Sequence, residues 1–270
     1  MSDFKSWLAY WDFQHAVHRN ARFVRSPAVE EFLTAVRKTG QTRSDTITNG
    51  SYLWRAQLGN DWRTVEDPDG GGGWEEELPY PPERMKPFRD RAREGRANPK
   101  GIPCLYLATA KQTALAEVRP WLGSKVSIAI FKTLRELKVL DCSAADRNTN
   151  VFFGNGPPQE REGCVWNHIN NAFARPVSPT DDVAEYVGTQ IIAELFKADG
   201  FDGIVYQSSL STEGLNVALF DVNAAELVNC GLSELQSLRF EFKDTGNPYS
   251  LAPIEIEDEP SPETESGSSN

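Results

Sequence analysis

The sequence predicts an α+β domain in which a mixed or antiparallel sheet is flanked by helices. Three observations lead to this prediction. Apolar residues recur at helical spacing in the first fifty residues and again near residue 190. Short apolar runs of strand length, bounded by Gly, Pro and polar residues, lie between them. The two patterns do not alternate regularly, which argues against a doubly wound parallel sheet.

Two helices are predicted in the N-terminal helical segment, residues 1–48. The first depends on an i, i+3, i+4, i+7 stripe of four residues: Phe4, Trp7, Leu8 and Trp11. The second depends on a like stripe: Val29, Phe32, Leu33 and Val36. Its boundaries are also marked, because Ser26 suits the N-cap, Pro27 the first helical position and Gly40 the stop.

A strand is predicted at Ser51–Ala56, and it carries Arg55. Alternation along a strand puts Leu53 and Arg55 on one face. The opposite face then carries Tyr52, Trp54 and Ala56. An arginine among such residues can pair with a surface acid. If it is buried it needs an anionic partner, because an uncompensated buried charge costs about 3–5 kcal/mol. The planar guanidinium suits a ligand phosphate.

The following segment, residues 59–94, is predicted to be a long loop or insertion. It is rich in Gly, Pro and charged residues, and connections of this length are usually functional lids or insertions. The run Gly70–Gly73 follows no predicted strand and precedes no GK[ST]. A flexible loop is therefore favoured over a phosphate-binding loop.

The stretch Gly95–Glu117 reads as a loop, a strand and the start of a helix. A Gly- and Pro-bounded loop precedes the apolar strand Cys104–Ala108, and a helix begins near Thr113. That helix carries Glu117. The sequence alone allows Glu117 to be either a solvated surface residue or a carboxylate delivered to a site.

The second half of the chain predicts more strands and one long helix. Lys125–Phe131 and Leu137–Asp141 are interpreted as a hairpin. Two later strands, Gly203–Tyr206 and Asn216–Phe220, flank the polar loop QSSLSTEG. Between the two strand pairs lies a helix with Thr180 as its cap and Gly200 as its stop. Its stripe at helical spacing has six residues: Val183, Tyr186, Val187, Gln190, Ile191 and Leu195. The loop contains Ser208 and Ser209, which are turn residues unless they belong to a site.

Several kinds of site and partner are not expected. No GxSxG, GxGxxG after a strand, HExxH or EF-hand loop occurs. His15 and His18 have a metal-compatible spacing but lack a completing shell, so no metal is predicted. The formal net charge of −11 argues against nucleic-acid binding. The N-terminal stretch reads as neither a signal peptide nor a membrane anchor, and the four cysteines form no CxxC pair. A cytoplasmic protein without membrane contact is expected.

Three blocks of this sequence together resemble the RES-domain family, over roughly residues 50–230. They are LWRA with Arg55, GRANPKGIPCLYLATAKQTALAE with Tyr106 and Glu117, and FDGIVYQSSLSTEGLNVALFD with Ser208 and Asn216. The central block is the most specific. The resemblance implies an ADP-ribosyltransferase-like fold, consumption of NAD and the toxin role in a toxin–antitoxin pair, with an antitoxin protein as partner.

The resemblance also implies roles for individual residues. Glu117, Arg55 and Ser208 are expected to be catalytic, with Ser209 as the alternative to Ser208. Substrate binding is expected from four residues: Tyr106, Arg96, Asn98 and Ser209. NAD is then a substrate and no cofactor is needed, while inorganic phosphate is a candidate co-substrate. Water, phosphate and a macromolecule remain open as acceptors, and a non-catalytic nucleotide-binding protein is the competing class.

The domain organisation predicted from these patterns has three parts. Residues 1–48 form the helical segment and residues 49–245 the RES-like catalytic domain. Residues 246–270 are expected to be an acidic disordered tail, because six acids and no base follow residue 250. A homodimer is left open.

Overall fold

The computed structural model of the 270-residue chain describes residues 3–67, 71–88, 91–144, 156–175, 183–239, 241–243 and 246. The chain divides into a compact unit, Met1–Ser237, and a second unit, Leu238–Asn270. Apart from Gly246, the predicted acidic tail lies outside the described residues.

The first unit contains five α-helices and ten strands in its described residues. The helices are α1 Ala9–Arg19, α2 Pro27–Gly40, α3 Lys111–Glu117, α4 Pro158–Ala174 and α5 Val187–Ala198. The strands are β1 Ser44–Ile47, β2 Tyr52–Leu58, β3 Asp61–Glu66, β4 Gly73–Leu78, β5 Leu105–Ala108, β6 Lys125–Thr133, β7 Leu137–Asp141, β8 Gly203–Gln207, β9 Leu215–Leu219 and β10 Ala225–Glu234. Single 3₁₀ turns lie at Gln41–Arg43 and Val183–Tyr186.

Eight strands form one sheet in the order β1-β7-β8-β9-β5-β2-β6-β10, and β3 and β4 form a separate two-stranded sheet. Within the large sheet β7 and β8 run parallel, and the other neighbouring pairs are antiparallel. The predicted α+β class with a mixed, mostly antiparallel sheet is confirmed.

A row of residues in register crosses the middle of this sheet. Trp54 of β2 lies opposite Ala108 of β5, Ala108 opposite Asn216 of β9, and Asn216 opposite Tyr206 of β8. Directly opposite residues share a face of the sheet. Trp54 and Ala108 are the one register pair between β2 and β5, whereas β2 and β6 share seven. The two strands therefore separate beyond this pair.

The core lies on both faces of the sheet. On one face, α1, α2, α4 and α5 bury a large cluster whose biggest enclosed side chains include Trp166, Phe173 and Phe196. On the other face, a second cluster includes Phe131 and Met85, which are both fully buried. Burial of such side chains contributes about 1.5–3 kcal/mol each.

The first predicted helix differs from the observed one. Helix α1 begins at Ala9, so Phe4 is buried before the helix starts, and Leu8 and Trp11 are 39% and 47% exposed. The buried face of α1 is instead formed by four residues: Tyr10, Phe13, Gln14 and Val17. The predicted stripe is wrong because aromatic residues lie both before and after the start of the helix. The stripe was therefore begun at Phe4, before the first helical residue.

Helix α2 begins and ends as predicted. The Ser26 hydroxyl accepts a hydrogen bond from the Val29 amide at 3.4 Å, and Pro27 is the first helical residue. The helix ends at Gly40, but Gly40 keeps helical dihedral angles. A Cβ at this position would lie 2.2 Å from the Phe196 ring. Close packing against α5 therefore accounts for the glycine.

The predicted hairpin of Lys125–Phe131 and Leu137–Asp141 is wrong. Strand β6 pairs with β2 and β10, while β7 pairs with β1 and β8. The short connection between the two runs suggested a hairpin, but the pairing partners are supplied by distant parts of the chain. Residues 59–94 also contain more structure than a loop, since β3 and β4 form a hairpin there.

Helix α4 was not predicted, and the helix before β8 was predicted in part. Thr180, the expected cap, lies outside the described residues. The described helical part starts with the 3₁₀ turn at Val183–Tyr186 and continues as α5. Gly200 follows α5 with a φ of 81°, a conformation that favours glycine, so it ends the helix as predicted.

Candidate functional site

A cavity of about 270 Å³ opens where β2 and β5 separate. Its wall includes Arg55, Arg96, Tyr106, Glu117, Tyr206 and Asn216. Four of the seven predicted site residues therefore line one cavity: Arg55, Arg96, Tyr106 and Glu117. Ser208 reaches the same place through its hydrogen bond to Glu117.

Glu117 is fixed by two hydrogen bonds although its residue is exposed. The Ser208 hydroxyl and the Asn216 side-chain amide both donate to Glu117 Oε1, each at 2.7 Å. Asn216 is itself only 6% exposed. Oε2 accepts no hydrogen bond from the described residues, so one carboxylate oxygen is held while the other is available.

Local sequence explains how these three groups meet. Glu117 is the last residue of α3, whose Ala114 packs in a small cluster with Ala108 and Ile128 of the sheet. Asn216 belongs to β9, and Ser208 begins the loop after β8. That loop is attached to the start of α3 by Thr109 and Thr113: the Thr109 hydroxyl accepts from the Leu215 amide, and the Thr113 hydroxyl donates to Ser211.

Arg55 is enclosed without a counter-charge. One terminal nitrogen of its guanidinium donates to the Tyr106 carbonyl at 2.8 Å, in the gap between β2 and β5. Its Nε is buried and has no hydrogen-bond partner, and it forms no ion pair with any described residue. Burial lowers the pKa of the guanidinium, which nevertheless stays charged. A buried donor of this kind suits an anionic ligand.

The loop before β5 is held by Tyr106. The Tyr106 hydroxyl donates to Asn98 Oδ1 at 2.6 Å and accepts from the Ala97 amide at 2.9 Å. A Cβ on Gly95 would lie 2.5 Å from that hydroxyl, so only glycine allows this approach. Burial raises the pKa of Tyr106 well above its usual value. The ring of Tyr106 lines the cavity, while its hydroxyl forms hydrogen bonds with the loop before β5.

Asn98 does not line the cavity. It is 2% exposed, and its side-chain amide donates to the carbonyls of Arg93, Pro99 and Ile102. With Oδ1 bound to Tyr106, the side chain is engaged within the loop. The structure therefore places Asn98 as a support for the segment that carries Arg96.

Ser208 and Ser209 point to different partners. Ser208 bonds Glu117, whereas the Ser209 hydroxyl donates to the Ala174 carbonyl at the end of α4 at 2.7 Å. Ser209 lines a neighbouring cavity instead of the one that holds Glu117. The geometry thus favours Ser208 as the serine of the candidate site.

Two further residues of the cavity were not among the predicted site residues, although Asn216 stands in one of the blocks that carry the family resemblance. Tyr206 is 6% exposed, and burial together with the nearby Glu117 raises its pKa, so its hydroxyl stays protonated. Asn216, its register partner, holds Glu117. Both follow the rule that polar residues at the ends of apolar strands beside a polar loop point to a site, and this signal could have found them.

The described residues offer neither a metal-binding cluster nor a membrane-spanning helix. Among the described residues, no group of three or more His, Cys, Asp or Glu side chains is placed to hold a metal ion. In the same residues, no helix combines the length and the apolar character required to cross a bilayer.

Comparison with known proteins identifies the family. The family model described as the RES domain matches residues 75–243. Arg96, Tyr106, Glu117 and Ser208 lie inside this range, whereas Arg55 lies upstream of it. No curated protein matches the chain. A solved chain from the M. tuberculosis MbcT–MbcA toxin–antitoxin complex is similar at 17% identity, with a TM-score of 0.37, over 74% of this chain and 91% of that one. The family match covers more than half of the sequence, and the chain belongs to the RES-domain family.

Proposed function

We propose that this protein degrades NAD by cleaving the bond between nicotinamide and ribose. The observation that carries the proposal is the arrangement around Glu117. A carboxylate oriented by Ser208 and Asn216 lies in one cavity with Arg55, whose buried Nε has no hydrogen-bond partner and whose charge has no counter-ion among the described residues. A dinucleotide such as NAD would present to the first group a ribose that gains positive charge as the nicotinamide bond breaks, and phosphates to the second.

The chemistry of this bond fits the groups in the cavity. Nicotinamide leaves as a neutral molecule from a cationic pyridinium, so no general acid is needed. The ribose develops oxocarbenium-like positive charge, as in glycoside cleavage. The free Oε2 of Glu117 can bind ribose hydroxyls and stabilise that charge. A contact that strengthens in the transition state raises the rate.

Arg96 and Arg55 are the groups proposed to bind the pyrophosphate. Arg55 offers its buried Nε, and Arg96 is held at the cavity wall by donation to the Ala172 carbonyl at 2.7 Å. We propose that the rings of Tyr106 and Tyr206 flank the nicotinamide riboside. No metal or resident cofactor takes part in this proposal.

The assay that tests the proposal follows nicotinamide release from NAD by chromatography. The purified wild-type protein is expected to release nicotinamide. Glu117→Gln should be slower by about 10²–10³, by analogy with loss of one preorganised stabilising group. Glu226→Gln on the exposed edge strand β10 is the matched control and should keep wild-type activity. A folded wild type that releases no nicotinamide would refute the proposal.

The acceptor distinguishes three reactions. Water yields ADP-ribose and phosphate yields ADP-ribose 1-phosphate, which mass spectrometry separates. Transfer to a protein or nucleic acid would label that macromolecule when adenine-labelled NAD is used. Because Glu117 is exposed and the cavity is open, we propose a small acceptor, water or phosphate, which can enter without a docking surface.

We further propose that the protein is the toxin of a toxin–antitoxin pair. Membership of the RES-domain family supports this, as does the expected depletion of NAD by such an activity. Expression of the wild type should arrest growth, and expression of Glu117→Gln should not. A neighbouring reading frame that encodes the antitoxin should restore growth when it is expressed together with the wild type. Normal growth and an unchanged NAD level during wild-type expression would contradict the toxin proposal.

A further inference from the structure

A second cavity, of about 280 Å³, adjoins the one that holds Glu117. Arg96 and Tyr186 line both cavities, so they form a shared wall. The rest of its wall comes from α1, through Tyr10, Trp11 and Gln14, and from the end of α4, through Ala174. The RES-domain match begins only at residue 75, so α1 lies outside it.

The size of the two cavities suggests that they act together. Ligand pockets usually span about 300–1,000 Å³. The first cavity, at about 270 Å³, is small for a whole dinucleotide, and the second is of similar size. A dinucleotide consists of two nucleoside halves joined by a diphosphate. Two adjacent cavities with an arginine between them match that division.

The lining of the second cavity suits a flat aromatic base. Tyr10, Trp11 and Tyr186 supply three aromatic rings, and Trp11 is 47% exposed, so part of its surface is accessible. Aromatic side chains bind bases by stacking regardless of base identity. Arg175 and Glu185 add one cation and one anion, and they face each other at 4.0 Å.

The shared wall is fixed in place. The guanidinium of Arg96 donates to the Ala172 carbonyl at 2.7 Å and lies 5.8 Å from the Tyr186 ring centroid. Gln14 donates to the Glu185 carbonyl at 3.1 Å and thereby ties α1 to the segment that carries Tyr186. The second cavity is therefore built by side chains that are already positioned.

We propose that the second cavity binds the purine nucleoside half of the dinucleotide, with the diphosphate beside Arg96. This inference rests on the proposed function for the identity of the full substrate. It assigns helix α1 to the substrate site, where Trp11 stacks on the base. Residues outside the RES-domain match thus contribute to substrate affinity.

Binding of AMP tests the inference, because AMP carries the purine half and lacks nicotinamide. Calorimetric titration should show AMP binding to the wild type. Trp11→Ala should weaken it about tenfold or more, as expected when the stacking partner of a base is removed. Trp62→Ala is the matched control, since Trp62 is 55% exposed on the remote strand β3 and should leave AMP affinity unchanged.

A second variant keeps the test independent of any folding defect caused by Trp11→Ala. Ala174→Trp fills the cavity from its wall and leaves the aromatic residues intact. It should abolish AMP binding and raise the KM for NAD while kcat stays within about twofold. Thermal denaturation of each variant checks that the fold is retained.

The outcomes separate this inference from the proposed function. Absence of AMP binding to the wild type at millimolar concentration, or AMP affinity unchanged in both Trp11→Ala and Ala174→Trp, would overturn the second site. If AMP binding follows the expected pattern but the wild type releases no nicotinamide, the purine site stands and the proposed reaction fails. If the wild type releases nicotinamide but AMP binding does not follow the expected pattern, the proposed reaction stands and the purine site fails.

Discussion

The side-chain amide of Asn216 donates a 2.7 Å hydrogen bond to Glu117 Oε1, across 99 residues of sequence. Asn216 is buried in the central strand β9, whereas Glu117 is exposed at the end of the short helix α3. The rigid sheet therefore orients a carboxylate that would otherwise rotate freely in solvent. This relationship leads to the first prediction.

Asn216→Ala should lower kcat for nicotinamide release about 10- to 100-fold. Loss of a hydrogen bond to a charged group costs about 1.5–3 kcal/mol, and here that group is the carboxylate that acts in the reaction. Steady-state kinetics of nicotinamide release measure the effect. Asn229→Ala on the exposed edge strand β10 should have wild-type kinetics. Equal kcat values for the wild type and Asn216→Ala would show that Glu117 needs no such orientation.

Ser208→Ala should reduce kcat at least tenfold more than Ser209→Ala does. The Ser208 hydroxyl bonds Glu117 Oε1, while the Ser209 hydroxyl bonds the Ala174 carbonyl. The two adjacent alanine variants are compared in the same nicotinamide assay, and each is the control for the other. A larger kcat defect in Ser209→Ala would mean that the serine of the site has been assigned wrongly.

Arg55→Met should stabilise the ligand-free protein and impair its activity. An uncompensated buried charge costs about 3–5 kcal/mol, so its replacement by an apolar side chain of similar length should stabilise the protein. We expect a higher Tm and a nicotinamide release rate that is reduced more than tenfold, because the group proposed to bind the phosphates is removed. Arg63→Met on the exposed hairpin should change neither quantity. A lower Tm for Arg55→Met would assign Arg55 to structural support.

Gly95→Ala should lower the Tm, because its Cβ would come within 2.5 Å of the Tyr106 hydroxyl. The clash displaces a group that holds Asn98 and the Ala97 amide, and overpacking of this kind costs about 1–3 kcal/mol. Tyr106→Phe in the same chain removes the hydroxyl and should recover part of the loss. Thermal denaturation of the two single variants and the double variant tests this coupling. Additive losses would exclude it.

Stability should fall on acidification because of His168. Its ring lies 5.8 Å from the ring centroid of Trp7 and 5.7 Å from that of Trp11, and burial lowers its pKa below the usual value of about 6.5. The unfolded chain therefore takes up a proton at a higher pH than the folded protein. The contribution to stability is complete above about pH 6.5 and is lost as the pH falls from there through the folded pKa.

Melting temperatures measured from pH 7.5 to pH 5 check this dependence. His168→Gln removes the titrating group and should show a weaker fall than the wild type. His15→Gln, at an exposed position on α1, should keep the wild-type profile. Identical profiles for the wild type and His168→Gln would assign the acid sensitivity to other groups.

Elements with local signals could be predicted from the sequence. Ser26 as the cap and Pro27 as the first residue indicated the start of α2, and short apolar runs bounded by Gly, Pro or polar residues located β2, β5, β8 and β9. Pairing was not predictable in the same way, because the partners of β6 come from β2 and β10. Helix α4 was not predicted, because polar residues, including the buried Asn170, stand between its buried Trp166 and Phe173.

Most residues of the candidate site were predicted from the sequence, but their arrangement was predicted only in part. Glu117, Ser208, Arg55 and Tyr106 were singled out by polar residues set against apolar runs and by the family resemblance, and the fold brings them together. Asn98 looked like a binding residue because it stands in a loop beside Arg96. Its burial depends on the Tyr106 hydroxyl and three carbonyls, which no sequence pattern reveals.

The position of β9 has a consequence for the timing of activity during synthesis. This strand lies between β8 and β5 in the sheet, although it is encoded near the end of the first unit, at Leu215–Leu219. A nascent chain that lacks β9 leaves β5 and β8 without the partner they share, and it has no Asn216 to orient Glu117. The ribosome must therefore finish most of this chain before the proposed site can be complete.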